Sequence, residues 1–158
     1  MKFKVKGGHC LIDKEFYPIL KEYSWHLDNY GYAVSAEWCK KHKKTGNRYK
    51  MHRIIVGVNS SKIKIDHING NRSDNRLCNL RIATHSQNLW NMGRHKTRNK
   101  SGYKGVCLDK RRGTWKAEIS KNRKRVYLGD FKTKKEAALA WNKAAQKLHG
   151  KFAFLNDI

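Results

Sequence analysis

Residues 93–102 read Gly-Arg-His-Lys-Thr-Arg-Asn-Lys-Ser-Gly. No side chain here is apolar, and a glycine stands at each end. Such a stretch does not suit a hydrophobic core and reads as a linker that can lie along a phosphate backbone. It predicts a first domain over 1–92, a basic linker over 93–102 and a second domain over 103–158. A chain of 158 residues suits that division, with a modest core in each part.

Charge then narrows the partner. Lys and Arg total 36 against 12 Asp and Glu, a formal net charge of +24. Residues 1–92 hold 17 basic and 7 acidic side chains, and residues 93–158 hold 19 and 5. A small acidic substrate does not call for such a field, whereas a polyanion does. Aromatic residues make up 11% of the chain, which sets it apart from a disordered basic tail. A folded nucleic-acid-binding protein is expected, with contacts from both halves. The linker cations Arg94, Lys96 and Arg98 are placed to follow a phosphate backbone.

Other classes fall away. No run of about 18 apolar residues exists to cross a membrane. The first residues lack the apolar stretch of a signal peptide, so an intracellular, non-secreted protein is expected. Cys10, Cys39, Cys78 and Cys107 form no CxxC pair. Cys39 and His42 make half a zinc site without a second half, and no zinc is expected.

The first half mixes element types. Phe3–Lys6 and Cys10–Asp13 have the pattern of short strands, and Phe16–Tyr23 that of a short helix with Pro18 in its first turn. Gly31–Trp38 alternates like a strand. Lys40–Arg48 reads as a basic turn, and an apolar run resumes over 49–58. The second half is more regular. Tyr103–Leu108, Thr114–Ser120 and Arg125–Phe131 predict three strands joined by hairpins. Thr133 and Glu136 then form a capping box. Ala137, Trp141, Ala144 and Leu148 follow on one helical stripe, and Gly150 stands at the C-cap. The fold class is α+β, with a three-stranded antiparallel sheet packed on one helix at the C-terminus.

Chemistry concentrates between Lys64 and Asn91. Asp66-His67 ends a strand, Asn69-Gly70-Asn71 makes a turn, 79–82 makes a second strand, and Thr84 can cap a helix carrying Asn88. Hydrolysis of a phosphodiester needs a base for water and a cation at the phosphate. His67 suits the base. The Asn79 carbonyl can hold its tautomer. Asp66 and Asn88 are hard oxygen ligands for Mg²⁺. The bland alternatives are surface polarity for Asp66-His67, and turn and cap roles for Asn79 and Asn88. Spacing alone leaves both sets open.

Over roughly 49–92 this stretch resembles the HNH endonucleases, the ββα-metal nucleases of phage and intron homing type. The resemblance implies a catalytic His67, an orienting Asn79, and Asp66 and Asn88 as ligands of one divalent ion, Mg²⁺ or Mn²⁺. Asn88 stands where many members have His. His52, within Met51-His52-Arg53, is read as structural or phosphate-facing, and His85 as a weaker substitute ligand. The resemblance also implies a homing role and the cytoplasm of a phage-infected bacterial host.

Residues 101–156 resemble the plant ethylene-response-factor, or Apetala-type, DNA-binding domain. The carriers are Tyr103-Lys-Gly-Val106, Trp115-Lys-Ala-Glu-Ile119, Val126-Tyr-Leu-Gly-Asp-Phe131 and His149-Gly-Lys-Phe-Ala153. That family lays its sheet in the major groove. The contact candidates by position are Lys104, Arg111, Arg112, Lys116, Arg123, Arg125 and Tyr127, with phosphate contact alone as the plainer alternative. Trp115 and Trp141 are expected in the core. Cys107 and Asp109 replace contact residues of the family, so its target sequence does not transfer.

The resulting expectation is a duplex-DNA nicking endonuclease with no obligate protein partner. Its rivals are a DNA-binding regulator with a degenerate nuclease motif and an RNA-binding protein.

Overall fold

The computed structural model describes residues 1–39, 48–93, 100–122 and 124–158. Residues 40–47 of the expected basic turn, His42 among them, the linker cations Arg94, Lys96 and Arg98, and Arg123 lie outside the described residues, while Arg48 begins a strand. The chain divides into two compact units, Met1–Thr84 and His85–Ile158.

In the first unit, strands β1 (Lys2–Val5) and β2 (Gly8–Leu11) form an antiparallel hairpin. A short 3₁₀ turn leads into helix α1 (Tyr17–Leu20), which carries a proline in its first turn as the sequence predicts. Strands β3 (Tyr23–Leu27), β4 (Ala33–Cys39) and β5 (Arg48–Lys50) make a three-stranded antiparallel sheet. Helix α2 (Met51–Val56) follows at once and ends at Gly57, whose φ of 71° is the left-handed cap that glycine adopts cheaply. Strands β6 (Lys64–His67) and β7 (Leu80–Ala83) form a second hairpin, with His67 opposite Leu80 and Asp66 opposite Arg81.

One apolar core joins these pieces, including Phe3, Ile12, Leu20, Trp25, Met51 and Ile55, with Ile65 and Leu80 from the second hairpin. The Trp25 indole donates to the Leu20 carbonyl at 2.8 Å, so its one polar atom is satisfied inside. The N-terminal segment also fixes the loop between β6 and β7. Leu11 N–H donates to Ser73 O, and Asn75 N–H donates back to Leu11 O, both at 2.8 Å. Asp13 accepts from Leu77 N–H, and Arg72 donates to Tyr30 O. Residues 1–30 thus brace the loop of the second hairpin, a role the sequence alone leaves undecided.

The second unit begins with helix α3 (His85–Asn91). Strands β8 (Val106–Asp109), β9 (Thr114–Lys121) and β10 (Lys124–Phe131) form an antiparallel meander with β9 in the centre. Helix α4 (Lys134–His149) carries the predicted capping box at Thr133 and Glu136 and ends at Gly150. Its buried face is Ala137, Ala138, Trp141, Ala145 and His149, so the stripe sits slightly off the predicted one. Alanines let the helix lie close to Val106 and Ala117 of the sheet. Gly105 is obligatory here. Its φ is +75°, and a Cβ would fall 1.9 Å from Trp141 Nε1. Asn156 closes the unit. Its side chain bonds both backbone groups of Lys104, and its backbone bonds both amide atoms of Asn142.

Candidate active site and nucleic-acid interface

Strand β6 ends in three buried residues, Ile65, Asp66 and His67. Ile65 belongs to the core, and the register leaves the two polar residues against β7 and the loop. Burying an ionised carboxylate is costly unless it is paired. Arg81, directly opposite, donates Nε–H to Asp66 Oδ2 at 2.8 Å, and its Nη2 forms an ion pair with the same oxygen at 2.7 Å.

The His67 ring meets a residue not singled out in the sequence. Its Nε2 lies 3.3 Å from Asn75 Oδ1. Asn75 is fully buried, and its amide N–H₂ donates to Ser73 O. That donor fixes which amide atom faces the ring. An oxygen facing Nε2 places the imidazole proton there and leaves the basic lone pair on Nδ1. Desolvation pulls the His67 pKa below the ordinary histidine range, partly opposed by the Asn75 hydrogen bond. The ring is therefore neutral at pH 7, the state a base requires.

Asn79 is buried in the same loop but spans its backbone. Its Oδ1 accepts from Asn69 N–H at 3.0 Å, and its Nδ2 donates to Asp74 O at 2.8 Å. Asn69 also donates to Asp74 Oδ2, and Arg76 grips both Asp74 oxygens. Hydrogen bonding to Arg76 holds the Asp74 carboxyl below the usual range. Asn69 and Asn71 close consecutive turns on Asn71 N–H and Ser73 N–H. The loop is held by its own side chains, which keeps Asn75 against His67.

Behind His67 stands His52, on α2. Its ring lies edge-on to His67 with centroids 5.2 Å apart, and Tyr32 lies 5.4 and 5.8 Å from the two rings. Burial first, then the charge of His67 and the nearby cations Lys50 and Arg53, push its pKa down to about 3. It is a buried neutral wall for the catalytic candidate rather than a phosphate contact. Lys50 and Arg72 lie over the Tyr32 ring at 5.0 and 4.8 Å, which brings two cations close to this cluster. Asn88 sits half-buried on α3 in the second unit, and His85 is exposed there.

Among the described residues no group of three or more His, Cys, Asp or Glu gathers to hold a metal. The expected donors are of a different kind, one carboxylate and one amide oxygen. As donor types they suit a hard divalent ion that keeps water and phosphate as its other ligands, Asp66 lying in the first unit and Asn88 in the second. An ion on Asp66 would share the carboxylate with Arg81.

The outer face of the C-terminal sheet follows from the register. Cys107, Lys116 and Asp130 align across it, as do Glu118 with Tyr127 and Ser120 with Arg125. Lys116 bonds Glu118 at 2.6 Å and lies over the Tyr127 ring. Hydrogen bonding to Asp130 raises the Tyr127 pKa. Arg111 and Arg112 are exposed at the first hairpin, where Asp109 Oδ1 accepts from both backbone N–H groups. Arg112 also reaches Asp130. The face carries mixed charge, with Lys116 and Arg112 each paired to a carboxylate.

Lys104 differs from the expectation of an outward cation. Its Nζ donates to the carbonyls of Leu89, Trp90 and Met92, at the end of α3. Burial lowers its pKa to about 8. A cation placed at a helix C-terminus satisfies orphan carbonyls, and this one is engaged there. Trp141 is fully buried beside Ile119 and Ala145, and Trp115 packs half-buried against Val106, Ala117, Ala137 and Ala138, so both tryptophans serve the core as the sequence predicts.

Comparison with known proteins agrees with both halves. The HNH endonuclease family model matches residues 49–89, and the AP2 domain model matches residues 101–151. An uncharacterized HNH endonuclease of Acanthamoeba polyphaga mimivirus is 32% identical over 97% of this chain and 77% of its own length. Protein 3.8 of Escherichia phage T7 is 36% identical over 56% of this chain and 72% of its own. The dehydration-responsive element-binding protein 2E of Oryza sativa is 48% identical over 34% of this chain and 17% of its own. The chain belongs to the HNH endonuclease family and carries an AP2 domain in its C-terminal half.

Proposed function

We propose that this protein is a metal-dependent endonuclease that nicks duplex DNA, with its AP2 sheet as the anchor in the major groove. The observation that carries the reading is the buried, neutral His67, with Nε2 held by Asn75 beside the Asp66 carboxylate.

In the proposed reaction His67 Nδ1 takes a proton from water as the oxygen attacks phosphorus. The bond to the 3′ oxygen breaks, and that oxygen is protonated to a 3′ hydroxyl, leaving a 5′ phosphate on the other strand end. Asn75 holds the tautomer, and His52 and Tyr32 hold the ring plane. Asn79 keeps the loop closed around them. Asp66 and Asn88 would hold one Mg²⁺ or Mn²⁺, which supplies Lewis-acid stabilisation of the phosphate and the leaving oxygen when bound. Lys50 and Arg72, beside Tyr32, are cations close to this cluster that would receive the phosphate backbone. One such site per chain yields a nick rather than a double-strand break.

On the anchoring side, Lys116, Arg125 and Tyr127 face outward from the sheet and Arg111 and Arg112 crown the hairpin. These groups read or follow the duplex. Arg94, Lys96, Arg98 and Arg123 are proposed to add phosphate contacts. A homing-type role on intracellular DNA accords with the viral relatives.

The test is conversion of supercoiled plasmid, and of DNA from the source lineage, to open circle with and without Mg²⁺ or Mn²⁺. Metal-dependent nicking lost in His67→Ala supports the reading. Tight duplex binding without nicking on either DNA favours a regulator. Preference for RNA in competition at moderate salt would overturn the choice of partner.

A further inference from the structure

Helix α3 has seven residues and buries none of them. A helix that short does not stand alone in water. It is secured at its C-terminal end instead. Lys104, from the loop before β8, donates to Leu89 O at 3.2 Å, Trp90 O at 2.7 Å and Met92 O at 2.5 Å. The same ammonium lies 5.5 Å from the Trp141 ring and 5.6 Å from Phe154.

Three more ties join α3 to the AP2 half. The Trp90 ring stacks on His149 with centroids 4.5 Å apart and planes 6° from parallel. His149 is itself fixed, since Nε2–H donates to Ser120 O on β9 at 2.9 Å. Phe154 N–H donates to Trp90 O at 3.3 Å. At Gly93 a Cβ would meet the Phe154 ring at 3.2 Å, so the chain leaving α3 passes close beside that ring.

We propose that Lys104 and the Trp90–His149 stack are positioning residues for the reaction: the AP2 half holds the helix that carries Asn88. The inference rests on the reading of Asn88 as a metal ligand. It makes the AP2 half more than an anchor, because losing the clamp should weaken the metal site while the sheet still binds DNA. Lys104 is then absent from the DNA contacts although its family position suggests one.

The test compares full-length wild type with Lys104→Met, Lys104→Arg and Trp90→Ala. Amide hydrogen exchange over α3 is measured first, then duplex affinity, then nicking against Mg²⁺ concentration. Lys104→Met and Trp90→Ala should speed exchange at Leu89–Met92 by about tenfold, with the sheet still protected. They should raise the Mg²⁺ needed for half-maximal nicking by about tenfold while the duplex Kd stays within about twofold. Lys104→Arg should recover most of the loss, since a guanidinium can also reach the carbonyls. Unchanged exchange on α3 in both disruptive variants overturns the proposal. So does faster exchange with an unchanged Mg²⁺ requirement, or a loss of duplex affinity as large as the loss of nicking. Wild type that exchanges as described yet never nicks would overturn the endonuclease reading and the role of Asn88, while the clamp itself would stand.

Discussion

The two units bury different things. Ser35, His52, Asp66, His67, Asp74, Asn75 and Asn79 are buried in the first, against Ser101, His149 and Asn156 in the second, among the described residues. The second unit buries alanines and aromatics between one helix and one sheet. Buried polar groups are tolerated only when satisfied, and a network of them costs more to build than an apolar core. In the first unit that network surrounds His67. Polarity is buried where chemistry is proposed, whereas the second unit leaves its described cations at the surface with the exception of Lys104.

The largest expected effect lies in the apolar unit. Gly105→Ala would drive a methyl into Trp141 and the Glu118 carbonyl at a backbone φ of +75°. It should cost at least about 3 kcal/mol. Denaturant unfolding should then show the second unit melting early and the first unchanged. Joint melting of both units would break the comparison.

Next comes the polar network. Asn75→Ala removes the partner of His67 Nε2 and the donor to Ser73 O. It should destabilise the first unit by about 2 kcal/mol and lower the nicking rate by about tenfold, with duplex affinity retained. Unfolding curves and single-turnover nicking check the two parts separately.

A pH dependence sharpens the same contrast. His52 has a folded-state pKa near 3 against an ordinary 6.5. Above pH 6.5 both states are neutral and nothing is lost. Below it the unfolded chain takes up a proton that the folded chain refuses, so stability falls as pH drops from 6.5 toward 3. The slope should approach about 1.4 kcal/mol per pH unit from this residue. His52→Phe should flatten that limb in unfolding measured between pH 7 and pH 5.

The smallest effect belongs to the cap of α4. Thr133→Ala removes the acceptor for Glu136 N–H. A loss of about 1 kcal/mol in the second unit is expected, read from its unfolding midpoint.

The regular unit was the more legible one in the sequence. A capping box, three alternating strands and Gly150 act locally, so neighbours in sequence suffice to predict them. The turn at Asn69-Gly70-Asn71 and the Asp66-His67 strand end were legible for the same reason. Helix α2 was not, because Met51-His-Arg-Ile-Ile-Val56 is rich in β-branched residues that favour strands. Tertiary packing of Met51 and Ile55 decides it, and Gly57 was the one local sign. Strand β3 went unnoticed beside the short helix before it. Asn75 was hidden among polar neighbours, since its role depends on the loop folding back against β6. The inward course of Lys104 was hidden because a sequence shows that a cation is present but not which way it points.

The most direct measurement is metal-dependent nicking of supercoiled plasmid by wild type beside His67→Ala. The account predicts open circles from wild type with Mg²⁺ or Mn²⁺, and none from the variant although it binds the plasmid equally. Equal nicking by both proteins would contradict it.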